Sequence, residues 1–320
     1  MNSTHKVEVY RINEIEKHPN ADTLGIIRFG GYQVCVKLGA FQVGQLAAYI
    51  LPDSVVPDLP EYAFLEKRCV KAKRLRGVWS MGLLVQAPDG VVEGDDIADL
   101  LQITHYEPPI DNFSTGGDNV KGPQYPHYDV ESFRRYAQVA FIPGELLWVT
   151  EKIHGTNARF VYTDDVMYCG SRNFWKSNLA PSLWWRALKS HPSIEEYCRQ
   201  HPGVALYGEV YGAVTTLKYG VPRGEVRIAL FDIFDDGKWV DTSEMHNIAD
   251  TWKLPVAPLI SIRTFDFASL LQLAEGPSLI PNANHYREGI VVKPSKERYS
   301  NALRGRVSLK IISNTYLEKS

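Results

Sequence analysis

Between Glu107 and about His127 the chain changes character: Pro108-Pro109, Gly116-Gly117, Gly122-Pro123 and Pro126 sit among polar residues. Proline fixes φ and removes a backbone donor, while glycine loosens the chain, so a stretch rich in both reads as a linker. The 320 residues are also too many for one small core. The expected organisation is therefore two domains, 1–106 and 128–320, joined by a linker at 107–127. Apolar residues make up 44% and charged residues 22%, as in ordinary globular proteins, and no run of about 18 apolar residues offers a membrane span. The first residues lack the apolar stretch of a secretory signal. Cys35, Cys69, Cys169 and Cys198 form no Cys-x-x-Cys pair, which argues against structural zinc and for reduced thiols in a cytoplasm. A net charge of −2 leaves any nucleic-acid partner to a local basic patch.

Before the linker, Val7–Tyr10, Thr23–Phe29, Tyr32–Lys37, Ala47–Leu51 and Gly82–Val85 read as short strands set between turn signals such as His18–Asp22 and Gly30-Gly31. About five strands in such a length predict a small barrel. After the linker, strands are expected at Leu147–Lys152, Thr156–Tyr162, Val166–Cys169, Ala205–Tyr211, Val226–Phe234, Gly289–Lys293 and Arg306–Ile312, with a hairpin turn at Asp164-Asp165. Ala180–Gln200 has helical spacing and should end before His201. Helices outside antiparallel strands make the second domain α+β.

Lys152-Ile153-His154-Gly155 ends an apolar strand. A lysine three residues before a glycine is the nucleophile pattern of enzymes that attach a nucleoside monophosphate to themselves, but about one chance match is expected in a chain this long. A lysine that attacks phosphorus must be partly neutral, and its site needs cations for the phosphate, a carboxylate for a metal and a grip on base and ribose. The chain offers Arg172, Lys293 and Lys310 as cations. Glu209 lies between Gly208 and Gly212 on a strand face shared with Tyr207 and Tyr211; taken alone it is an edge-strand acid. Phe231 suits a base but also a core, and Asp232 is an odd charge in an apolar strand. Glu288 and Lys293 bracket another apolar strand. Lys310 projects opposite Leu309 and Ile311.

In their order, Lys-x-His-Gly, Ser-Arg, Gly-Glu-x-x-Gly, Phe-Asp-Ile, Glu-Gly-x-Val-x-Lys and a last lysine-bearing strand resemble the covalent nucleotidyltransferase superfamily of ligases and messenger-RNA capping enzymes. Glu151–Asn157 is similar to the RNA ligase 2 family, with His154 where DNA ligases and capping enzymes usually carry aspartate. The resemblance implies that Lys152 forms a lysyl–AMP adduct, that the Glu151 main chain and Phe231 hold the adenine, and that Glu209 and Asn157 hold the ribose. It further implies that His154 assists AMP transfer, that Arg172, Lys293 and Lys310 hold phosphates, and that Glu288 orients Mg2+ or Mn2+, with Asp232 a second candidate metal ligand. The family's last motif is usually Lys-x-Lys, whereas this chain has Lys310-Ile311-Ile312. Lys293 or Arg304 is the candidate replacement cation.

His18–Leu24 and Lys71–Ser80 resemble the OB-folds of transfer-RNA-binding modules, and an OB domain before the ligase core is similar to the RNA ligases typified by the Deinococcus and Naegleria enzymes. Lys67, Arg68, Lys71, Lys73, Arg74 and Arg76 put six cations into ten residues. They suit a phosphate-tracking surface, with Lys71, Lys73, Arg74 and Arg76 as the nucleic-acid contacts, or equally a charged edge that resists aggregation. Trp184-Trp185 reads as the core and surface of one helix.

The expected protein is thus an α+β chain, an N-terminal OB-fold barrel followed by a nucleotidyltransferase domain of antiparallel sheets with flanking helices. Its expected function is ATP-dependent RNA ligation of 3′-OH/5′-phosphate breaks, at nicks in duplexes, through lysyl–AMP and a 5′-adenylated strand. ATP and Mg2+ or Mn2+ are the expected cofactors and RNA or a nicked duplex the partner, for a cytoplasmic monomer acting in RNA repair. The alternatives are a DNA ligase, a GTP-dependent capping guanylyltransferase, or a catalytically silent RNA-binding protein.

Overall fold

Two units cluster separately: Met1–Pro108 with Ile312–Ser320, and Pro109–Ile311. The structure, a computed structural model, describes residues 5–106, 116–179, 182–212 and 216–319. Glu107 and Pro108-Pro109 of the expected linker, and Ala180 at the expected helix start, lie outside the described residues. Among the described residues no helix is long and apolar enough to cross a membrane.

In the first unit, strand Leu46–Ile50 lies between Glu8–Arg11 and Leu83–Gln86. Its residues serve two cores: Ala48 and Ile50 pack with Val7, Val9 and Ile103, while Ala47 and Tyr49 pack with Ile12, Ile27 and Val34. Gly30 and Gly31, both at positive φ, close the hairpin Leu24–Phe29/Tyr32–Lys37, as a tight two-residue turn requires. A second hairpin, Ala72–Leu75/Val78–Met81, turns at Arg76 and Gly77, again both at positive φ. The buried His18 supports it. Its Nδ1 accepts from the Asn20 backbone N–H at 3.0 Å, so the proton sits on Nε2, which donates to Leu75 O at 3.1 Å. Asn20 Nδ2 donates to Arg76 O at 2.9 Å. His18–Asp22 therefore buttresses the turn that carries the basic run. Lys73 and Arg74 are both exposed although adjacent; Lys71 is half-buried. The short helix Asn314–Lys319 lies along Ala72–Leu75.

The second unit contains two sheets. One has seven strands, in the order Asn119–Val120, Trp175–Lys176, Val166–Gly170, Thr156–Thr163, Ala205–Gly212, Val226–Asp235 and Lys238–Trp239. The other has five: Glu131–Ser132, Leu309–Ile312, Gly289–Pro294, Leu146–Lys152 and Leu259–Thr264. The described ladders are antiparallel except where Glu131–Ser132 runs parallel to Leu309–Lys310. On the seven-stranded sheet, Phe160, Leu206, Val210, Ile228 and Leu230 form a core with Leu183, Trp184, Ile194 and Met245 of helices Leu183–Lys189, Pro192–Gln200 and Thr242–Trp252. On the five-stranded sheet, Leu147, Val149, Ile290, Val292, Leu309 and Ile311 pack on Phe133 and Leu270 of helices Phe133–Ala140 and Phe267–Leu273. Because strand residues alternate, Trp148, Lys152, Lys293 and Lys310 occupy the opposite face of that sheet.

Two expected elements are divided. The single helix expected over 180–200 is two helices broken at His191-Pro192. Proline disfavours helical backbone in the residue before it, and His191 sits at φ −135°, ψ 73°, so Pro192 starts a new helix instead of continuing the old one. Trp184 is buried and Trp185 partly so, both on the first helix. The strand expected over 306–312 is also split: Gly305–Arg306 pairs with Tyr299–Ser300, and Leu309–Ile312 joins the five-stranded sheet.

Candidate active site

Antiparallel pairing sets Lys152 opposite Gly289 and so beside Glu288. Lys152 Nζ lies 2.8 Å from Glu288 Oε1, and the other carboxylate oxygen is 3.8 Å from His154 Nδ1. Glu288 Oε2 is buried without a hydrogen-bond partner. An ionised carboxylate with one oxygen committed and one open, and buried with limited hydration, is chemically suited to a divalent cation that keeps part of its water shell. Among the described residues no group of three or more acidic, His or Cys side chains gathers around a metal position. A cation here would draw its remaining ligands from water and substrate phosphate.

Burial pushes the His154 imidazole below its usual range, outweighing the pull of Glu288. Its backbone N–H donates to Tyr219 OH at 2.7 Å, and Nε2 lies 3.2 Å from Thr216 Oγ1. Tyr219 is buried at a φ of 51°, in the left-handed region that a non-glycine residue enters at a cost of roughly 1 kcal/mol or more. That conformation holds its hydroxyl on the loop that follows Lys152.

Glu209 comes from the other sheet. Its strand is interior, between Thr156–Thr163 and Val226–Asp235, so it is not an edge-strand acid. Asn157 lies directly opposite, with its Oδ1 buried and without a partner. Burial pushes the Glu209 carboxyl up to about 8, Lys152 pulling it down and Glu288 raising it further. At neutral pH the unliganded site therefore keeps Glu209 largely protonated. The unfolded chain would release that proton near pH 4.5, so stability is greatest below that value and falls as pH rises towards 8. Glu209→Gln should remove this slope, with a melting temperature above wild type at pH 8 and close to it at pH 4.5. Thermal melts across that range check this; a parallel pH dependence in the two proteins would contradict it.

Gly155 explains the spacing of the lysine motif. A Cβ at this position would lie 2.3 Å from Val210 O and 2.7 Å from Glu209 Cγ, so only glycine lets the loop after Lys152 lie flat on the Glu209 strand. Lys310 enters the same neighbourhood. Burial, and then the like charge of Lys152, lower its pKa, opposed by Glu288, Glu131 and Asp129. Arg172 is held at Asp129, 2.5 Å from Nη2 to Oδ1, and so reaches this region through a carboxylate that Lys310 also feels. Ile312 is partly buried on the face of Lys310.

Phe231 and Asp232 sit at a register shift. Tyr207 pairs with Asp232 but Gly208 with Leu230, leaving Phe231 as the extra residue of a bulge. Phe231 packs on Tyr128, with ring centroids 4.5 Å apart. Asp232, expected as a metal ligand, is fully buried between Lys293 Nζ at 3.1 Å and Arg306 Nη1 at 2.8 Å. Burial alone would raise its carboxyl, but Arg306 and then Lys293 hold it below the usual aspartate range. Lys293 Nζ also donates to Phe231 O at 2.7 Å, so this expected phosphate contact is occupied inside the protein. Glu151, whose main chain was expected at the adenine, is buried, with Oε2 accepting from Leu279 N–H at 2.6 Å and its own N–H donating to Pro258 O.

The structure therefore gathers Lys152, His154, Glu209, Glu288 and Lys310. It places Lys293 and Asp232 in a separate buried ion cluster. Lys71, Lys73, Arg74 and Arg76 belong to the first unit. Sequence reasoning missed Arg306, Asp129, Tyr128 and Tyr219. Arg306 also lies over the Trp239 ring at 4.2 Å and pairs with Glu297. Of these four, only Tyr219 carried a usable signal, as a tyrosine directly before the turn glycine Gly220.

Comparisons with known proteins bear on the family and the fold. The RNA ligase family model matches residues 145–312, and a model described as the PHA02142 OB-fold domain matches residues 6–92. Similar solved structures include a Naegleria gruberi RNA ligase mutant with ATP and Mn, at 24% identity and a TM-score of 0.81, covering 98% of each chain. A Naegleria gruberi RNA ligase mutant in the apo state has 25% identity and a TM-score of 0.81, over 100% of this chain and 99% of that one. The same ligase with PPi has 25% identity and a TM-score of 0.80, over 98% of each chain. No curated protein sequence matches the chain. The fold is α+β, an OB-fold unit preceding a sheet-rich catalytic unit, and with the RNA ligase model spanning more than half of its length the chain belongs to the RNA ligase family.

Proposed function

We propose that this protein is an ATP-dependent RNA ligase that joins a 3′-OH to a 5′-phosphate at nicks in duplexes, using Lys152 as its nucleophile. The observation that carries this reading is the 2.8 Å pair between Lys152 and Glu288, with Glu209 and Lys310 close enough to act on it electrostatically. In the first step Lys152 Nζ bonds to the ATP α-phosphorus as the bond to the β-phosphate oxygen breaks and pyrophosphate leaves. The lysine must shed its proton to attack. When bound, a divalent cation at Glu288 supplies charge neutralisation at the phosphates. Lys310 and Arg172 stabilise the charge that builds on the displaced oxygens. Asn157 and Glu209 provide the paired polar groups that fit a ribose, and Phe231 is the candidate partner for the adenine face.

The second step passes AMP to the strand's 5′-phosphate, and the third uses the 3′-OH to displace AMP. In the second step the bond from Lys152 Nζ to phosphorus breaks as the 5′-phosphate oxygen bonds to it, and His154 can relay the proton that the departing amine takes up. Asp232 is assigned to fixing Lys293 and the Phe231 carbonyl, and Glu288 to the metal. One chain supplies every group named, so a monomer suffices. The four free cysteines fit a reducing, cytoplasmic setting.

A nicked duplex with RNA on both sides of the break, ATP and Mg2+ or Mn2+ tests this reading. Sealing with release of one AMP per joint is expected. A product only from DNA–DNA nicks, or with GTP in place of ATP, would move the protein to the DNA-ligase or capping alternatives.

A further inference from the structure

The first unit carries a cavity of about 290 Å3 that the ligase chemistry does not use. Its origin is local. Between strands Tyr32–Lys37 and Val78–Met81, side chains make bonds across the gap: the Cys35 N–H donates to Ser80 Oγ at 3.0 Å, and Gln33 Nε2 to Trp79 O at 2.7 Å. At Gly82, φ 89°, the chain leaves one sheet for another, and a Cβ there would lie 2.3 Å from Ile50 O. Beside Ser80 and Gly82 opens a slot lined by Val36, Phe41 and Leu84. Its volume is near the lower end of small-ligand sites, which are typically about 300 Å3 or more.

The rim has two properties that together point to one kind of occupant. Phe64 lines the slot with 62% of its surface exposed, an aromatic ring left to solvent. Lys37 and Lys73 line it as well, both exposed, and Lys71 is half-buried beside them. An apolar slot with a free aromatic face and cations at its mouth suits a planar uncharged ring attached to a polyanion. Phosphates stay in solvent with the ammonium groups while the ring leaves water. An acidic peptide would satisfy the lysines but would leave the aromatic slot without a planar partner.

We propose that this slot receives an unpaired nucleobase of the RNA strand, stacked on Phe64, with the adjoining phosphates held by Lys37 and Lys73. The assignment rests on the RNA-ligase reading for the identity of the polyanion. It extends the basic run from a sequence-blind track to a site that grips a base. The occupant is a nucleotide near the nick that is unpaired or has left its stack, because a base held within a duplex cannot turn its face into a slot.

The test uses the full-length protein and a short single-stranded RNA carrying one 2-aminopurine. Fluorescence quenching on binding is expected. Phe64→Ala should weaken affinity by about 5- to 100-fold while leaving the salt slope unchanged, because stacking releases no counterions. Lys73→Ala should weaken binding and also reduce the slope by about 0.7 per lost contact. An RNA abasic at the responsive position should bind wild type and Phe64→Ala alike. Equal affinity of Phe64→Ala and wild type for the intact strand would overturn the proposal, as would full affinity for the abasic strand. Adenylylation of the same proteins by ATP, measured in parallel, reports separately on the ligase reading, so failure of one is distinguishable from failure of the other.

Discussion

Asp232→Ala is expected to destabilise the catalytic unit by about 3–5 kcal/mol, the cost of removing one partner from a buried ion cluster. For a unit of this size that corresponds to a fall in melting temperature of about 6–20 °C. The carboxylate is fully buried, and its loss leaves Lys293 facing only the Phe231 carbonyl and Arg306 relying on Glu297. Lys293 cannot escape to water, since its side chain is itself 4% exposed. Charge follows the same logic with pH. A carboxyl held below its unfolded value contributes stability above that value and loses it as pH falls through the folded one, so wild type should be sensitive to acid below about pH 4. Combining Asp232→Asn with Lys293→Met should cost less than the sum of the two changes, because the second relieves the charge stranded by the first. Thermal melts of Asp232→Ala, of the single changes Asp232→Asn and Lys293→Met and of their combination decide it; a melting temperature for Asp232→Ala within a degree of wild type would show that the cluster contributes nothing.

Gly155→Ala should nearly abolish self-adenylylation while leaving much of the fold intact. The added methyl would meet a main-chain oxygen at 2.3 Å, and backbone in the middle of a seven-stranded sheet cannot give way. The loop must lift instead, carrying Lys152 away from Glu209 and Glu288. A misplacement of about 1 Å in a positioned nucleophile costs on the order of 100-fold in rate, and overpacking costs about 1–3 kcal/mol in stability. Single-turnover adenylylation beside a denaturant melt separates the two effects. A variant with wild-type rate would mean that the motif glycine serves something other than close approach to the Glu209 strand.

The parts of the site that were legible in the sequence are those whose constraint is local. Lys152 and Gly155 sit within one turn of chain, and strand alternation alone assigned Lys310 to the face opposite Leu309 and Ile311. Asp232 stood out as a charge in an apolar strand, yet its role was not legible. Its partners come from residues 293 and 306, and the bulge at Phe231 that sets it depends on the neighbouring strand. Glu209 shows the same limit. Two nearby glycines marked it, but whether its strand was edge or interior depended on the pairing of distant segments, and that pairing sets its raised carboxyl pKa. Arg172 was legible as a cation and its partner Asp129 was not, since an ion pair across 43 positions leaves no periodic trace. The helix break was different in kind. Pro192 was visible, but the apolar spacing on either side ran through it and outweighed the proline.

Ile312 bears on the same question. Within strand Leu309–Ile312 the side it shares with Lys310 is partly buried and carries no second lysine. Lys293, the first candidate to replace that charge, is committed to Asp232. Arg172 pairs with Asp129, whose charge Lys310 also feels.

The central claim is that Lys152 becomes covalently linked to AMP. Incubation with α-labelled ATP and Mg2+ or Mn2+, followed by denaturing electrophoresis, tests it most directly. The account predicts a labelled band for wild type that is absent from Lys152→Ala and is discharged by pyrophosphate. A label that survives Lys152→Ala, or a wild-type protein that stays unlabelled with every divalent metal tried, would contradict it.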